Sequence, residues 1–375
     1  MARWRTPLHE EHVRLGARLV DFAGWDMPLH YTGVVHEHLA VRNGVGVFDV
    51  SHLGKLFVSG AEAQSALAFA LTADVSGLAA GRAAYSLVLD DGGGCIDDVF
   101  VYRLDGRRWT IVPNAANVSA VAEAVSSAGG DVIDERDHWA ILAIQGPESF
   151  TLFDRTWPAS GATDLGLHES TELDIDGATG LVARTGYTGE PGFELFAPAE
   201  VAAGAFRGLL DNGAEPVGLG ARDTLRLEMG YALYGHELTP DVNPLEAGLG
   251  WTLHWDKRFR GRDALVRVRA EGVARRLVAI RCTGRGVPRQ GYYVEVDGER
   301  VGAVTSGNFS PVLRTGIALA LCDAGAGLEN GAEVAIDARG RRVPGIIVRP
   351  PFVRRGRGAQ SEKSRGDMST NQQVG

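Results

Sequence analysis

Three short stretches concentrate side chains whose types and spacing suit chemistry better than packing. DDGGGCIDDVFVYRL, residues 90–104, has the glycine-rich turn of a β-hairpin, then two adjacent carboxylates, Asp97 and Asp98, at the entry of an apolar strand. Neighbouring strand residues point to opposite faces. Asp97 therefore shares a face with Cys95, Val99 and Val101, and Asp98 with Ile96, Phe100 and Tyr102. Burying an unpaired carboxylate is costly, so the pair is expensive for folding alone and calls for a further reason. RTGYTGEPGFELF, residues 184–196, sets Tyr187, Glu190 and Glu194 around a glycine-rich turn, and GLGARDTLRLEMGYALYGHEL, residues 218–238, places Arg222 and Arg226 one helical turn apart. Each feature alone has a plain structural reading: a turn cap for Asp98, an arginine partner for Glu194, a surface ion-pair network for Arg222 and Glu228. Taken together with Tyr85, Tyr187, Phe193 and Tyr234, they suggest an aromatic cleft tipped with charge.

The elements that must position these residues read as α+β. Thr6-Pro7 with Glu10 and Glu11 in the first turn reads as an N-capped helix, and a second helix runs over 34–43 until Gly44 stops it. Residues 55–135 interleave the strands KLFVS, the hairpin, WTIV and DVIDE with the helical patterns AEAQSALAFALT and NVSAVAEAVSS. That alternation indicates an α+β layer rather than a doubly wound sheet. Residues 139–235 repeat the mixture, with WAILAIQG and LVARTG as strands, EVAAGAFRGLLDNG as a helix and a short helix in ARDTLRLEMG. From about residue 273 short strands separated by Gly- and Pro-rich turns have the rhythm of a small β-barrel or sandwich. The segment 356–375 lacks apolar periodicity and reads as a disordered tail.

Composition narrows the class of function. The 375-residue chain exceeds what one core usually serves, so two or three domains are expected. A net charge of −9 argues against a nucleic-acid or anionic-membrane surface and favours a small molecule or a protein partner. The first residues lack the apolar core of a signal peptide, and no run approaches the ~20 apolar residues of a membrane span, so a soluble, cytoplasmic protein is expected. Cys95, Cys282 and Cys322 are far apart and odd in number, which excludes a disulfide framework. His36 and His38 diverge by about 200° on a helix. A shared metal is therefore not expected, only a surface or capping role. The glycine-rich GLGARD and GAGLENG lack the sequence context of phosphate-binding loops.

Ten motifs in order, among them FAGWDMPLHYTG, EHLAVRNGVGVFDVSHLG, YSLVLDDGGGCIDD, RTGYTGEPGFE, GLGARDTLRLEMGYALYGHEL, PLEAGLGW, VTSGNFSP and PPFVRR, resemble the aminomethyltransferase family of the glycine cleavage system, its T proteins. The resemblance spans about residues 5–355. It implies transfer of the one-carbon unit of an aminomethyl group, carried on the lipoyl arm of H protein, to tetrahydrofolate, with release of ammonia. It also implies a three-domain cloverleaf with folate in its central opening. Mapped on this chain, the expected domains are 1–53 with 139–240, 54–138 with 241–272, and the barrel 273–355.

By the same resemblance Asp97 is the catalytic carboxylate facing the folate nitrogens, while Asp98 points away and is structural. Glu194 accepts the pterin's N–H and NH₂ edge. Tyr187 and Tyr85 line the ring site, Arg222 meets the folate, and Arg354, or its neighbour Arg355, is the family's C-terminal arginine. No metal is expected. The implied partner is H protein, met transiently by a monomer, with Arg258, Arg260 and Arg262 as a candidate basic docking patch. SHLG, TSGNFSP and TPLHEEH depart from the usual family spellings SHMG, TSGTFSP and TPLYDEH, and put Asn308 and His9 in segments that could meet donor or partner. A paralogue using the same folate site with an amine or sulfonium donor is the competing expectation. A folate-binding accessory protein of iron–sulfur assembly is disfavoured, because Cys95 lies in the wrong stretch for it.

Overall fold

The computed structural model describes residues 3–158 and 160–354; the expected tail lies outside them. The described residues form a mixed six-stranded sheet, a five-stranded sheet and a closed six-stranded barrel, plus a small N-terminal hairpin of Arg18–Phe22 with Trp25–His30. None of their helices is long and apolar enough to cross a membrane.

The six-stranded sheet runs in the order Ser170–Ile175, Ala178–Ala183, Gly192–Pro198, Trp139–Gln145, Gly46–Asp49, Glu215–Val217, with only the last pair parallel. Trp139–Gln145 and Gly46–Asp49 are almost wholly buried, because helices cover one face and the cleft-side elements the other. The helices Ala199–Asp211 and Ser149–Thr156 lay Ala202, Phe206, Leu209, Leu152 and Phe153 over Leu142, Ile144, Phe193 and Leu195. Phe193 thus belongs to this core, ringed by Phe150 and Phe153, and not to the cleft where the sequence reading set it.

The five-stranded sheet, ordered Arg82–Leu89, Cys95–Arg103, Trp109–Val112, Leu56–Ser59, Asp131–Asp134, packs one face against the helices Ala63–Ala70 and Val118–Ser126. Its far end rests on Leu238, Val242, Leu253 and Leu265, which tie residues 238–265 to this sheet. The barrel, Arg275–Cys282 through Arg341–Val348, closes around Ile280, Val294, Ala318 and Ile336. Most strands and helices fall where periodicity put them. Thr6 does two jobs ahead of the first helix, His9–Arg14: its Oγ1 accepts from Leu8 N at 3.3 Å and donates to buried Asp49 at 2.6 Å.

The helix Leu219–Met229 joins the three units. Glu228, fully buried, accepts from Arg42 Nη2 at 2.8 Å, from His38 Nε2 at 3.1 Å and from Ser310 Oγ of the barrel at 2.6 Å. His38 is therefore a core residue, not the surface or capping one expected, whereas His36 is exposed. Arg226 holds Asp223 at 2.7 Å, Glu237 at 3.0 Å and Ser306 of the barrel at 2.7 Å. Gly230 ends the helix at φ 72°, where a Cβ would press on Pro350 at the barrel's exit. Removing one member of a buried charge network strands the others. Glu228→Ala is expected to lower the unfolding free energy by about 3–5 kcal/mol, measured by urea denaturation.

Candidate active site

The hairpin at 90–95 carries the strand Cys95–Arg103 to the middle of the molecule. Gly94 N donates to Asp90 Oδ1 at 2.9 Å, and Cys95 N meets the carbonyls of Thr239 and Val242, each at 3.2 Å. A Cβ at Gly94 would overlap the Pro240 carbonyl, so only glycine lets the two backbones close. From there alternation decides each side chain's surroundings. Val99 and Val101 face the helices with Leu67 and Val121, and Asp97 follows them. Phe100, Tyr102 and Asp98 face a cleft between the sheets and the helix Leu219–Met229.

The two carboxylates lie the opposite way round from the expectation. Asp97 is fully buried and absent from the cleft lining; it accepts from Asn114 N at 2.9 Å, Asn114 Nδ2 at 2.7 Å and Asn117 Nδ2 at 2.8 Å. It fastens the 113–117 turn to the strand. Asp98 lines the cleft, accepting from Tyr85 OH at 3.0 Å and Asn114 Nδ2 at 3.0 Å. The split of faces was legible, and it puts Asp97, the residue expected to meet the ligand, on the buried face and Asp98 on the cleft. Burial, then the charge of Asp98, pushes Asp97 up to about 7; burial likewise raises Asp98, against the bonds from Tyr85 and Asn114.

The opposite wall is built by the other two stretches. Glu194, on the strand Gly192–Pro198, accepts from Thr185 Oγ1 at 2.5 Å and Tyr102 OH at 3.3 Å. Tyr187 is pinned by its hydroxyl, which donates to the Ala232 carbonyl, and stacks on Tyr231 at 5.7 Å. Arg222 lies over the Tyr187 ring at 4.8 Å, its Nη1 buried without a hydrogen-bond partner. Burial pulls the Arg222 pKa down and the charge of Glu194 opposes it. Tyr85 packs against Trp251 at 5.8 Å and Phe100 at 5.7 Å. Asp98, Tyr85, Glu194, Tyr187 and Arg222 thus share one cleft, whereas Glu190 is drawn off into an ion pair with buried Arg42 at 2.8 Å and Tyr234 does not line it.

Such a cleft, two carboxylates and a guanidinium on aromatic walls, suits a flat heteroaromatic ligand with a hydrogen-bonding edge. Family models match most of the chain: the GCVT N-terminal domain matches residues 8–257 and the glycine cleavage T-protein C-terminal barrel domain matches 275–354. Aminomethyltransferases of Rubrobacter xylanophilus and Thermus thermophilus are 47% and 45% identical to this chain, covering 94% and 93% of it and 95% and 99% of their own lengths. The crystal structure of glycine cleavage system aminomethyltransferase T from Bartonella henselae superposes with a TM-score of 0.88 at 34% identity, over 93% of this chain and 98% of that one. The chain belongs to the aminomethyltransferase family.

In this aminomethyltransferase fold the cleft continues toward the barrel into a wider opening that shares Tyr85, Phe100, Gly186 and Tyr187 with it. Arg354 is not there. Phe352 N bonds the Glu228 carbonyl at 2.8 Å, which carries the chain behind the helix Leu219–Met229, and Arg354 ends up exposed outside both cavities. Arg355 lies outside the described residues. Arg276 and Arg349 line the opening instead. Of the expected basic patch, Arg260 is paired with Asp91 and Arg262 bonds the Trp255 carbonyl, leaving Arg258 exposed. Asn308 is held between Arg289 and Asp223, and His9 is buried, so neither presents a free surface group. Among the described residues no acidic, His or Cys cluster could hold a metal. Sequence reasoning missed Asn114, Tyr102, His52 and Trp251; Tyr102 was findable, since it alternates onto the face of Asp98.

A carboxyl raised on folding is most favourable below its unfolded value and loses stability as pH climbs to its folded one. The unfolding midpoint should therefore fall between about pH 4 and pH 7 through Asp97. Asp97→Asn should flatten that slope in urea titrations at pH 4.5 and 7.5, though the variant is less stable at both.

Proposed function

We propose that this chain transfers the one-carbon unit of an aminomethyl group on lipoylated H protein to tetrahydrofolate, yielding 5,10-methylenetetrahydrofolate, ammonia and dihydrolipoyl H protein. The observation that carries the reading is the constellation of Asp98, Glu194 and Arg222 in one aromatic cleft of an aminomethyltransferase fold. A pterin suits these residues. Glu194, steadied by Thr185 and Tyr102, offers two acceptor oxygens to N3–H and the 2-amino group. Tyr187 and Arg222 supply a flat wall, and the buried, unpartnered Nη1 of Arg222 calls for an acceptor from outside the chain. The tail of the folate would extend into the barrel-side opening, where Arg276 and Arg349 carry positive charge.

The chemistry then falls to Asp98 rather than Asp97. The aminomethyl carbon loses its bonds to sulfur and nitrogen and gains bonds to N5 and N10 of the folate; the two folate N–H protons balance the released thiol and ammonia. Positive charge builds on the carbon–nitrogen unit as each leaving group departs. A carboxylate fixed by Tyr85 and Asn114 in a partly dry cleft stabilises that charge and can pass a proton to the leaving ammonia. Asp97 acts at one remove, holding Asn114 against Asp98.

Asp98→Asn should cut turnover by about 10²–10⁴-fold and leave tetrahydrofolate affinity within about threefold, whereas Glu194→Ala should weaken that affinity by roughly 10- to 100-fold. Single-turnover assays with aminomethyl-lipoyl H protein, following ammonia and methylenetetrahydrofolate together, check both. Folate binding without transfer from H protein would replace the donor with another amine or sulfonium. Full turnover by Asp98→Asn would return the chemistry to a different group.

A further inference from the structure

His52 belongs to the VSHLG stretch just after the strand Gly46–Asp49, and neither the fold nor the reaction above has used it. It lines the cleft, yet is only 3% exposed, with its ring edge-on to Phe22 at 5.3 Å. Its Nδ1 is buried and has no hydrogen-bond partner, and neither has Nη1 of Arg222 in the same cleft. Two orphaned ring or guanidinium nitrogens in one cleft are a standing cost unless something from outside pairs with them. Burial and the charge of Arg222 push His52 down to about 3, against the pull of Asp49. The ring is therefore neutral at ordinary pH: it can donate through one nitrogen, and it is too weak a base to take a proton from substrate.

His52 and Arg222 line the same cleft as Glu194, the carboxylate that would take the pterin's N3–H and amino group. The atom next to N3 in a pterin is C4, and it carries an oxygen that only accepts. Resting on the folate reading, we propose that His52 is a specificity-determining residue: together with Arg222 it donates to the 4-oxo group of the pterin and so selects 4-oxo over 4-amino pteridines. A 4-amino group would point N–H at N–H and leave both donors unpaired, a mismatch that buried polar sites penalise heavily. Protonation of His52 beside Arg222 would put two cations at one oxygen. Keeping the ring neutral avoids this and retains the donor.

The test is calorimetric binding of tetrahydrofolate and of its 4-amino counterpart, tetrahydroaminopterin, to the full chain and to His52→Leu, His52→Met and His52→Gln, with thermal unfolding to verify folding. The wild type should prefer the 4-oxo ligand by about 100-fold or more. His52→Leu should weaken tetrahydrofolate by roughly 10- to 100-fold while barely moving the 4-amino ligand, so the ratio collapses. His52→Met carries the same expectation if the leucine variant does not fold, and His52→Gln, which keeps a donor, should restore part of the ratio. Failure of the wild type to bind either pteridine would defeat the folate reading itself. Normal tetrahydrofolate binding with an unchanged ratio in all folded variants would overturn the role of His52 alone, and so would equal weakening of both ligands.

Discussion

The buried charge network on the helix Leu219–Met229 is the constraint on which the rest depends. Glu228 and Arg226 would each be prohibitively placed if alone; together they reach His38 and Arg42 of the first helical layer, Glu237 of the following loop, and Ser306 and Ser310 of the barrel. Such bonds are directional, unlike apolar contact, which tolerates sliding. They set the angle at which the barrel meets the two sheets. The same helix carries Arg222 on the face turned to the cleft, so the network that joins the units also aims the guanidinium.

Within that frame the cleft is organised before any ligand arrives. Tyr85, Asn114, Thr185 and Tyr102 each spend a hydrogen bond on holding a carboxylate oxygen of Asp98 or Glu194. Tyr102 does so from the strand of Asp98 to the strand of Glu194, coupling the two sheets across the site. Preorganised acceptors of this sort need no rearrangement when charge develops, which is where most electrostatic catalysis originates. Two groups on the same lining are left without partners, the donor Arg222 Nη1 and the ring nitrogen His52 Nδ1.

The pair Asp97–Asp98 illustrates how much a strand conceals. Period-two alternation assigned the two carboxylates to opposite faces, and that is how they lie. Both faces of Cys95–Arg103 are apolar in sequence, however: one because helices pack on it, the other because its Phe100 and Tyr102 are cleft walls. Hydrophobicity cannot separate a core from an aromatic binding site, and a one-residue slip exchanges the roles. Asn114 likewise carries no local signal; it matters because the turn after Trp109–Val112 folds back over the hairpin strand.

Local pattern determined a great deal here: the helix over 34–43 that ends at Gly44, the barrel rhythm after 273, and the clustering of Tyr187, Glu194 and Arg222 with the acidic hairpin. These follow from periodicity, turn chemistry and the expense of placing charge among apolar residues, all of which are properties of short segments. Tertiary structure alone decided that Glu190 pairs with Arg42, that His38 is core, that Phe193 leaves the cleft, that Arg354 passes behind the central helix and that His52 enters the cleft. The partners in those cases lie far apart in the chain or in another sheet. Which residue meets which is set by how the two sheets and the barrel dock, and no window of sequence contains that geometry.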